Sequence, residues 1–327
     1  MRAWRFAEFG DISNFKLGEC PKPEPGAREV LIRVAYAALN PADRLLVEGK
    51  YPGAGKLPLT VGRDGSGVVE GVGADCRLRS GDRVLVLRSE VGITRQGTLA
   101  EYVVAPEESV APVPEGWSMQ EAAAASVAYL TAWKTLVNQG GLREGETVLV
   151  TGASGGVGIA AVQLAKILGA RVVALSRNEA HRARLLELGA DYALNAAAPD
   201  LEKAIRGAVG TVNLTVENVA GPFIQTSLNL SALNSRIMVI GLLAGHSAQV
   251  SLGALLFNQV RIEGVHVGKM SPEDAQRAFA RVVKTLRKGD QRPLVGKVFE
   301  FEAVQDAFMH LAAGHLGKVL VRIGGDT

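Results

Sequence analysis

The stretch Thr147-Val148-Leu149-Val150-Thr151-Gly152-Ala153-Ser154-Gly155-Gly156-Val157-Gly158 decides how the fold is read. Residues 147–151 form an apolar run that opens into glycines, the pattern of a strand buried on both faces of a parallel sheet. A helix over 159–168, carrying Gln163 and Lys166, follows at once. Strand, glycine turn and helix in that order direct backbone N–H groups, at the positive end of a helix, toward a pyrophosphate. Ala153, Ser154, Gly155, Gly156, Val157 and Gly158 are therefore candidate cofactor-binding residues. Gly155 permits close approach of the ligand, and Gly158 permits tight packing of helix against strand. Ala153 stands where the Gly-x-Gly-x-x-Gly pattern has its first glycine, a departure from the bare motif.

Downstream of this loop, 171–175 reads as a strand and 179–188 as a helix closed by Gly189. Further strand candidates are 211–216, with Asn213 its weak point, 236–240 and 262–267. These five strands, separated by helical segments, describe a doubly wound parallel sheet. Upstream, 119–138 is Ala-rich and helical in character. The texture before it is different: short β-like runs at 30–36, 67–72, 83–87 and 100–104 alternate with breakers such as Pro21-Lys22-Pro23-Glu24-Pro25-Gly26. That spacing predicts an all-β unit. After Ser271 come a helix to about 288, a strand at 295–301, a helix and a last strand at 318–323. The fold class is α/β, with segments 1–121 and 269–327 flanking a dinucleotide-binding domain over 122–268.

A dinucleotide site next needs a residue at the end of the second strand to meet the adenosine ribose. Here that strand ends in Ser176-Arg177. An acidic residue accepts the ribose 2′-OH and repels a phosphate, whereas Ser-Arg hydrogen-bonds a 2′-phosphate and neutralises it. The reading favours NADPH. His181, with Arg182 and Arg184, adds positive potential one turn on, or else belongs to the solvated face of the helix.

Composition excludes several other classes. The 36 Lys+Arg against 33 Asp+Glu leave a charge of +3 without any like-charge run, which speaks against nucleic acid as the partner. The N-terminal residues lack an apolar signal core, and the longest apolar run is far short of a membrane span. A cytoplasmic protein without a membrane partner is the expectation. Two cysteines, Cys20 and Cys76, cannot build a disulfide framework.

The set Gly145-Glu146, Leu149, Ala153-Ser154-Gly155-Gly156, Gly158, Gln163 and Lys166 resembles the signature of the quinone oxidoreductase/zeta-crystallin branch of the zinc-independent medium-chain dehydrogenases/reductases. The likeness extends along the chain through Asn40-Pro41-Ala42-Asp43, Gly62-Arg63-Asp64, Ser80-Gly81-Asp82-Arg83-Val84, Leu130-Thr131-Ala132-Trp133 and Gly317-Lys318-Val319. It implies a GroES-like, β-rich catalytic domain split around a six-stranded Rossmann domain, an active site in the cleft between them, and a homodimer. Zinc enzymes of the superfamily have Cys and His ligands where this chain has Asn40 and Arg63. No metal site is expected, since catalytic zinc needs three N, S or O ligands and His246, His266, His310 and His315 are isolated or poorly spaced.

Without a Lewis acid, the chemistry that suits the resemblance is hydride delivery to a quinone or an activated C=C bond, whose conjugated carbonyl absorbs the charge. The candidate catalytic residues are Tyr51, Asn40, Asp43 and Arg63. Tyr51 resembles the proton-donor tyrosine of enoyl thioester reductases, or it packs on Pro52. Asn40 orients substrate or nicotinamide, or it initiates an Asn-Pro turn. Asp43 and Arg63 bind substrate, orient these groups, or form a structural ion pair. On the cofactor side, Thr131 resembles the residue near the nicotinamide ribose, and Asn218, Gly241 and Leu242 resemble the loops after the fourth and fifth strands. Enoyl thioester or enone reduction is the alternative reaction. An NADPH-binding structural or RNA-associated protein, of the kind lens crystallins illustrate, is the alternative of another class.

Overall fold

In the computed structural model, the described residues are 1–87 and 90–325. Arg88 and Ser89, inside the expected first segment, and Asp326 and Thr327, at the end of the expected third, lie outside them. The chain divides into two compact units: Met1–Val127 with Gly268–Phe279 and Arg292–Thr327, and Ala128–Val267 with Ala280–Gln291.

The first unit opens with β1 (Arg2–Arg5), β2 (Lys16–Glu19) and the long β3 (Glu29–Ala38). Helix α1 (Pro41–Val47) starts at Asn40, where Pro41 occupies the first helical position and supplies a preset φ without a wasted N–H donor. Then come β4 (Asp64–Val72), β5 (Arg83–Val86), β6 (Tyr102–Pro106), β7 (Val110–Pro112) and α2 (Met119–Trp133), which runs on into a π-helical turn at Lys134–Gln139. Six alanines and no exposed polar stripe make α2 a buried helix rather than an amphipathic one.

The second unit alternates strands and helices: β8 (Thr147–Val150), α3 (Gly156–Ile167), β9 (Arg171–Leu175), α4 (Glu179–Glu187), β10 (Tyr192–Leu194), α5 (Leu201–Val209), β11 (Val212–Glu217), α6 (Phe223–Leu230), β12 (Ser231–Val239), α7 (Leu252–Phe257) and β13 (Arg261–Gly264). After α8 (Pro272–Lys288), the strand β14 (Val295–Glu300), helix α9 (Val304–Ala313) and strand β15 (Lys318–Arg322) close the chain.

In the first unit the sheet order is β14-β15-β3-β4-β5-β7, with β6 paired to β3. Its largest core cluster joins both ends of the sequence: Trp4 stacks on Phe15 at 5.5 Å and Phe15 on Phe308 at 6.2 Å, while the Trp4 indole donates to the Phe301 carbonyl at 2.8 Å. In the second unit the order is β10-β9-β8-β11-β12-β13, all parallel. The chain reverses direction of travel across the sheet between β8 and β11, and ligands of such sheets bind beyond the carboxyl ends of the strands at this point. β8 is wholly buried, as its unbroken apolar run predicts.

Several details depart from the sequence expectation, among them the unpredicted β7 and the start of β12 at Ser231 instead of 236. β10 was not among the predicted strands; it is a three-residue edge strand with Tyr192 exposed, too short for a hydrophobic period to show. The last strand of this sheet ends at Gly264 instead of 267, and Val267–Lys269 forms a 3₁₀ turn. The N-terminal pair β1–β2 was missed as well, because four-residue strands joined by a polar loop carry little pattern. Asn213 does mark an irregularity: the register shifts between Val212 and Leu214, and its side-chain oxygen accepts from the Thr147 N–H at 2.9 Å. Among the described residues no helix is long and apolar enough to cross a membrane.

Candidate functional site

In the second unit, the turn after β8 is built from its own backbone. Gly152 takes a positive φ of 56°, so the residue that makes the turn is Gly152 rather than its neighbour Ala153. Ala153 is buried and donates its N–H to the Leu175 carbonyl at 3.1 Å, which ties the turn to the end of β9. A side chain at Gly158 would put its Cβ 2.5 Å from the Gly152 oxygen and 2.6 Å from the Ala153 Cα, so helix and turn touch only because it is glycine. Gly155 is different. A Cβ there meets nothing closer than 3.6 Å, and the protein's own packing does not require glycine. Gly155 caps α3 without a side-chain hydrogen bond, and the half-buried Ser154, Gly155, Gly156 and Val157 ring the bare helix start. This cradle fits a pyrophosphate, with helix N–H donors facing it and space over Gly155 for its oxygens.

The floor of the same loop cluster is a residue that sequence reading did not select. Glu217, fully buried at the end of β11, accepts from the Thr151 hydroxyl at 2.5 Å and from the Val219 and Ala220 N–H groups at 2.9 Å each, and from Ser227 at 3.2 Å. It thereby fixes Thr151, the residue after β8, to the loop that carries Asn218. Asn218 in turn donates its side-chain N–H to the Thr151 carbonyl at 2.8 Å, and Gly241 lies so close that a Cβ would stand 2.3 Å from the Asn218 oxygen. Close backbone approach explains Gly241 better than a turn does. Leu242, next to it, is exposed, and Thr131 is buried on α2, where its carbonyl accepts from Thr135.

At the end of β9 the Ser176 hydroxyl and the Arg177 guanidinium make no hydrogen bond or ion pair with the described residues, and Arg177 is exposed. Arg182 reaches back to the Ser176 and Arg177 carbonyls at 3.2 and 3.0 Å, so its charge stays unneutralised beside the loop. Arg184 pairs with Glu187 and is spent. Burial pushes the His181 imidazole below the ordinary histidine range, which weakens the positive potential the sequence suggests for that residue.

In the first unit the structure gathers Asn40, Asp43, Arg63 and Tyr51, and adds Asp64, Ser126 and Lys318. Asp64 is fully buried and its four acceptor positions are filled. Oδ1 accepts from Ser126 and from the Val127 N–H at 2.8 Å; Oδ2 accepts from Lys318 Nζ at 2.8 Å and Asn40 Nδ2 at 2.9 Å. Lys318, brought in by β15, also donates to Asn40 Oδ1 at 2.9 Å and to the Leu39 carbonyl at 3.1 Å. Asp43 accepts from the Asn40 N–H at 2.8 Å and from Arg63 Nε at 3.0 Å. The Arg63 guanidinium lies 4.6 Å from the centre of the Tyr51 ring.

Two sequence expectations change here. The Asn40 amide does not face outward to a reacting centre: its oxygen and nitrogen are committed to Lys318 and Asp64. Asp43 is consumed as the acceptor at the start of α1 and as the partner of Arg63, so it is a structural ion-pair member. Lys318 and Asp64 were visible only as parts of the Gly317-Lys318-Val319 and Gly62-Arg63-Asp64 landmarks. A lysine opening an apolar terminal strand, where burial would otherwise be costly, was the available signal for a buried pair.

Burial raises both carboxyls, with different outcomes. In Asp64 it is outweighed by the Lys318 ammonium and by hydrogen bonds from Lys318, Ser126 and Asn40, which hold the carboxyl below the ordinary aspartate range. In Asp43 burial prevails over Arg63 and the Asn40 N–H, and the carboxyl lies above that range.

Family models match in two blocks: the alcohol dehydrogenase GroES-like domain over residues 26–115 and the zinc-binding dehydrogenase domain over residues 156–285. The chain is 31% identical over 310 residues to quinone oxidoreductase-like protein 2 of Rattus norvegicus, covering 92% of this chain and 87% of that one. Among solved structures, an NAD-dependent alcohol dehydrogenase superposes with a TM-score of 0.89 at 32% identity, covering 99% of this chain and 100% of that one. A mycobacterial protein complexed with NADPH superposes with a TM-score of 0.88 at 26% identity, covering 98% and 99%. The zinc in the second model's name finds no fit in these residues. Two carboxylates are balanced by two cations at hydrogen-bond distance, and no group of three His, Cys, Asp or Glu among the described residues is placed to hold a metal ion.

The Asp64–Lys318 pair makes a stability prediction. Because the folded-state pKa of Asp64 is depressed, its contribution is present above the unfolded value and is lost as pH falls through the folded one. Asp64→Asn, which leaves a buried ammonium unpaired, is expected to cost about 3–5 kcal/mol at pH 7. The gap to wild type should narrow below about pH 4, where unfolded aspartate is protonated. Denaturant titrations from pH 7 to pH 3 measure it; a gap of constant size would show that the pair contributes no pH-dependent stability.

Proposed function

The chain belongs to the quinone oxidoreductase branch of the medium-chain dehydrogenase/reductase superfamily, and from that membership we propose an NADPH-dependent reductase of quinones and other conjugated carbonyl compounds that works without a metal. Membership itself makes it an NAD(P)-dependent oxidoreductase of small molecules. The choice of reaction rests above all on the closed charge cluster of Asp43, Arg63, Asp64 and Lys318. A zinc ion polarises an alcohol or aldehyde oxygen, and here balanced ion pairs take the place of its ligands. The substrate must then carry its own electron sink, a conjugated carbonyl.

A bound nicotinamide supplies the hydride. The chain's residues divide the rest. Ser154, Gly155, Gly156, Val157 and Gly158 hold the pyrophosphate, with Ala153 and Asn218 fixing the loops around it. Thr131, Gly241 and Leu242 line the nicotinamide side. Ser176 and Arg177, unpartnered at the end of β9, receive a 2′-phosphate, with Arg182 adding charge and His181 a neutral ring. Tyr51 delivers the proton that the substrate carbon takes after hydride addition, and Asn40 positions the wall behind it through Asp64 and Lys318.

The same reading includes a homodimer formed through β13. That strand is the edge of the parallel sheet, and an unpaired edge invites a two-fold mate. Beside it α7 exposes Leu252, Leu256 and Phe257, the last at 80%, an apolar surface of the kind that marks an interface. The unpaired thiols of Cys20 and Cys76 suit a reducing, cytoplasmic setting.

A screen of NADPH and NADH oxidation against quinones, enones and enoyl thioesters tests the reaction. NADPH should be preferred, and Arg177→Ala should cost about 1.5–3 kcal/mol of NADPH affinity while NADH is barely affected. Tyr51→Phe should lower enone turnover about 10²-fold and spare quinones, whose oxygens take protons from water. Equal affinity for both nucleotides would refute the cofactor choice; NADPH binding with no turnover in any arm would favour a structural protein. For the dimer, sedimentation at micromolar concentration should give twice the chain mass, and Phe257→Asp should shift it toward monomer. A wild-type monomer would remove the dimer from the account.

A further inference from the structure

One donor atom in the first unit, Nη2 of the buried Arg63, is left over by the hydrogen bonding of its fold. Arg63 is about 5% exposed, and its Nη2 makes no hydrogen bond to any described residue. On its other side the guanidinium is held by Nε, which donates to Asp43 Oδ1 at 3.0 Å. Buried unsatisfied donors are rare, and one on a charged group is costlier than one on an amide. Retaining it calls for a ligand atom that completes it.

What covers the group is the Tyr51 ring, 4.6 Å from the guanidinium carbon. Tyr51 sits outside any helix or strand and is half-buried. Gly49 and Gly53, on either side, have φ of 71° and 86°, backbone that glycine adopts without strain. The cover is thus a side chain on a loop, while the donor is fixed by an ion pair to the start of a helix.

The charge around the donor narrows the ligand. Asp43 and Asp64 set two negative charges against the two positive charges of Arg63 and Lys318, so the cluster is neutral. A carboxylate or phosphate gains no net attraction for its burial here. A neutral acceptor oxygen does fit, and it fits better if it acquires negative charge during the reaction, when a fixed donor gains most.

Resting on the reductase reading above, we propose that Arg63 Nη2 is the donor to the substrate's carbonyl oxygen, and that the Tyr51 ring covers it until the substrate displaces the ring. As hydride leaves the reduced nicotinamide, which is oxidised, and adds to the β carbon, the C=C electron pair moves toward the carbonyl. Its oxygen becomes an enolate oxyanion against Nη2–H, and the α carbon then takes the proton of the Tyr51 phenol, which water re-protonates, to give the saturated ketone. The guanidinium does for this oxygen what a metal does in a zinc enzyme.

The test uses 2-cyclohexenone as the probe, with the full-length protein. Arg63→Lys keeps the charge beside Asp43 and removes the planar second donor; it should lower kcat/KM for the enone by about 10²–10³-fold, mostly in kcat, with the NADPH dissociation constant unchanged. In the complex with NADP⁺, the ¹³C-labelled carbonyl stretch of the enone should fall below its solution value in wild type and stay near it in Arg63→Lys. A kcat/KM within threefold of wild type, or a carbonyl stretch that is the same in both proteins, would overturn the assignment. If wild type reduces no probe but shows the Arg63-dependent stretch, the reductase reading fails and the donor stands. If wild type turns over the enone without a lowered stretch, the donor fails and the reductase reading stands. Should Arg63→Lys not fold, ¹⁵N-arginine spectra of wild type decide: a side-chain signal of Arg63, assigned through Arg63→Met or Arg63→Gln, must shift on adding enone, and an unmoved signal counts against the proposal.

Discussion

The buried contact between Asp64 and Lys318, 2.8 Å apart and both almost wholly removed from water, is the constraint on which the first unit is organised. Neither charge is tolerable alone in that setting, and together they are tolerable only because every remaining donor and acceptor is filled. Asp64 comes from the start of β4, Asn40 from the turn into α1, Ser126 from α2 and Lys318 from the terminal strand. One carboxylate therefore fixes four chain segments, and Lys318 arrives 254 residues after Asp64 itself. The aromatic cluster of Trp4, Phe15, Phe301 and Phe308 does the same in apolar terms, joining the two sequence ends of one unit. The unit's charged centre forms only when both parts of the sequence are in place.

The second unit solves a comparable problem with backbone. Its strands converge on a loop cluster where a helix start, a positive-φ glycine and two glycines at close approach leave N–H groups without side-chain partners. Glu217 keeps those loops in register. Its carboxylate accepts from two strands' ends and a neighbouring helix, so that the region facing the ligand has little side-chain bulk and a rigid floor. Buried acids thus serve in both units as anchors of loop geometry.

Much of this was legible in the sequence, for reasons that differ by residue. The strand 147–151 and the glycines after it declare themselves because a doubly buried strand and a tight turn each admit few residue types. Arg171–Leu175 emerged with its predicted bounds for the same reason. The place of Ser176-Arg177 at the end of β9 was legible because the strand before it has an unbroken apolar run. Three-dimensional neighbours were not. Asn40 read as a group facing the substrate, since nothing local reveals that its amide is claimed by a lysine 278 residues away. Glu217 passed as part of a strand because its partners lie on three other elements. The partial burial that lowers the His181 imidazole was not legible either, because it depends on packing beyond its own helix. Short edge strands such as Tyr192–Leu194 left no period to read.

In the reductase proposed above, nucleotide would be held by bare backbone, charge by ion pairs, and the substrate would supply the electron sink. The most direct measurement is the position of the transferred hydride. With NADPH deuterated at the transferring carbon, 2-cyclohexenone and a metal chelator present throughout, NMR of the product should show deuterium on the carbon β to the carbonyl, in cyclohexanone, with the rate unchanged by the chelator. Deuterium on the carbonyl carbon, in an allylic alcohol, or loss of turnover in chelator would contradict the account.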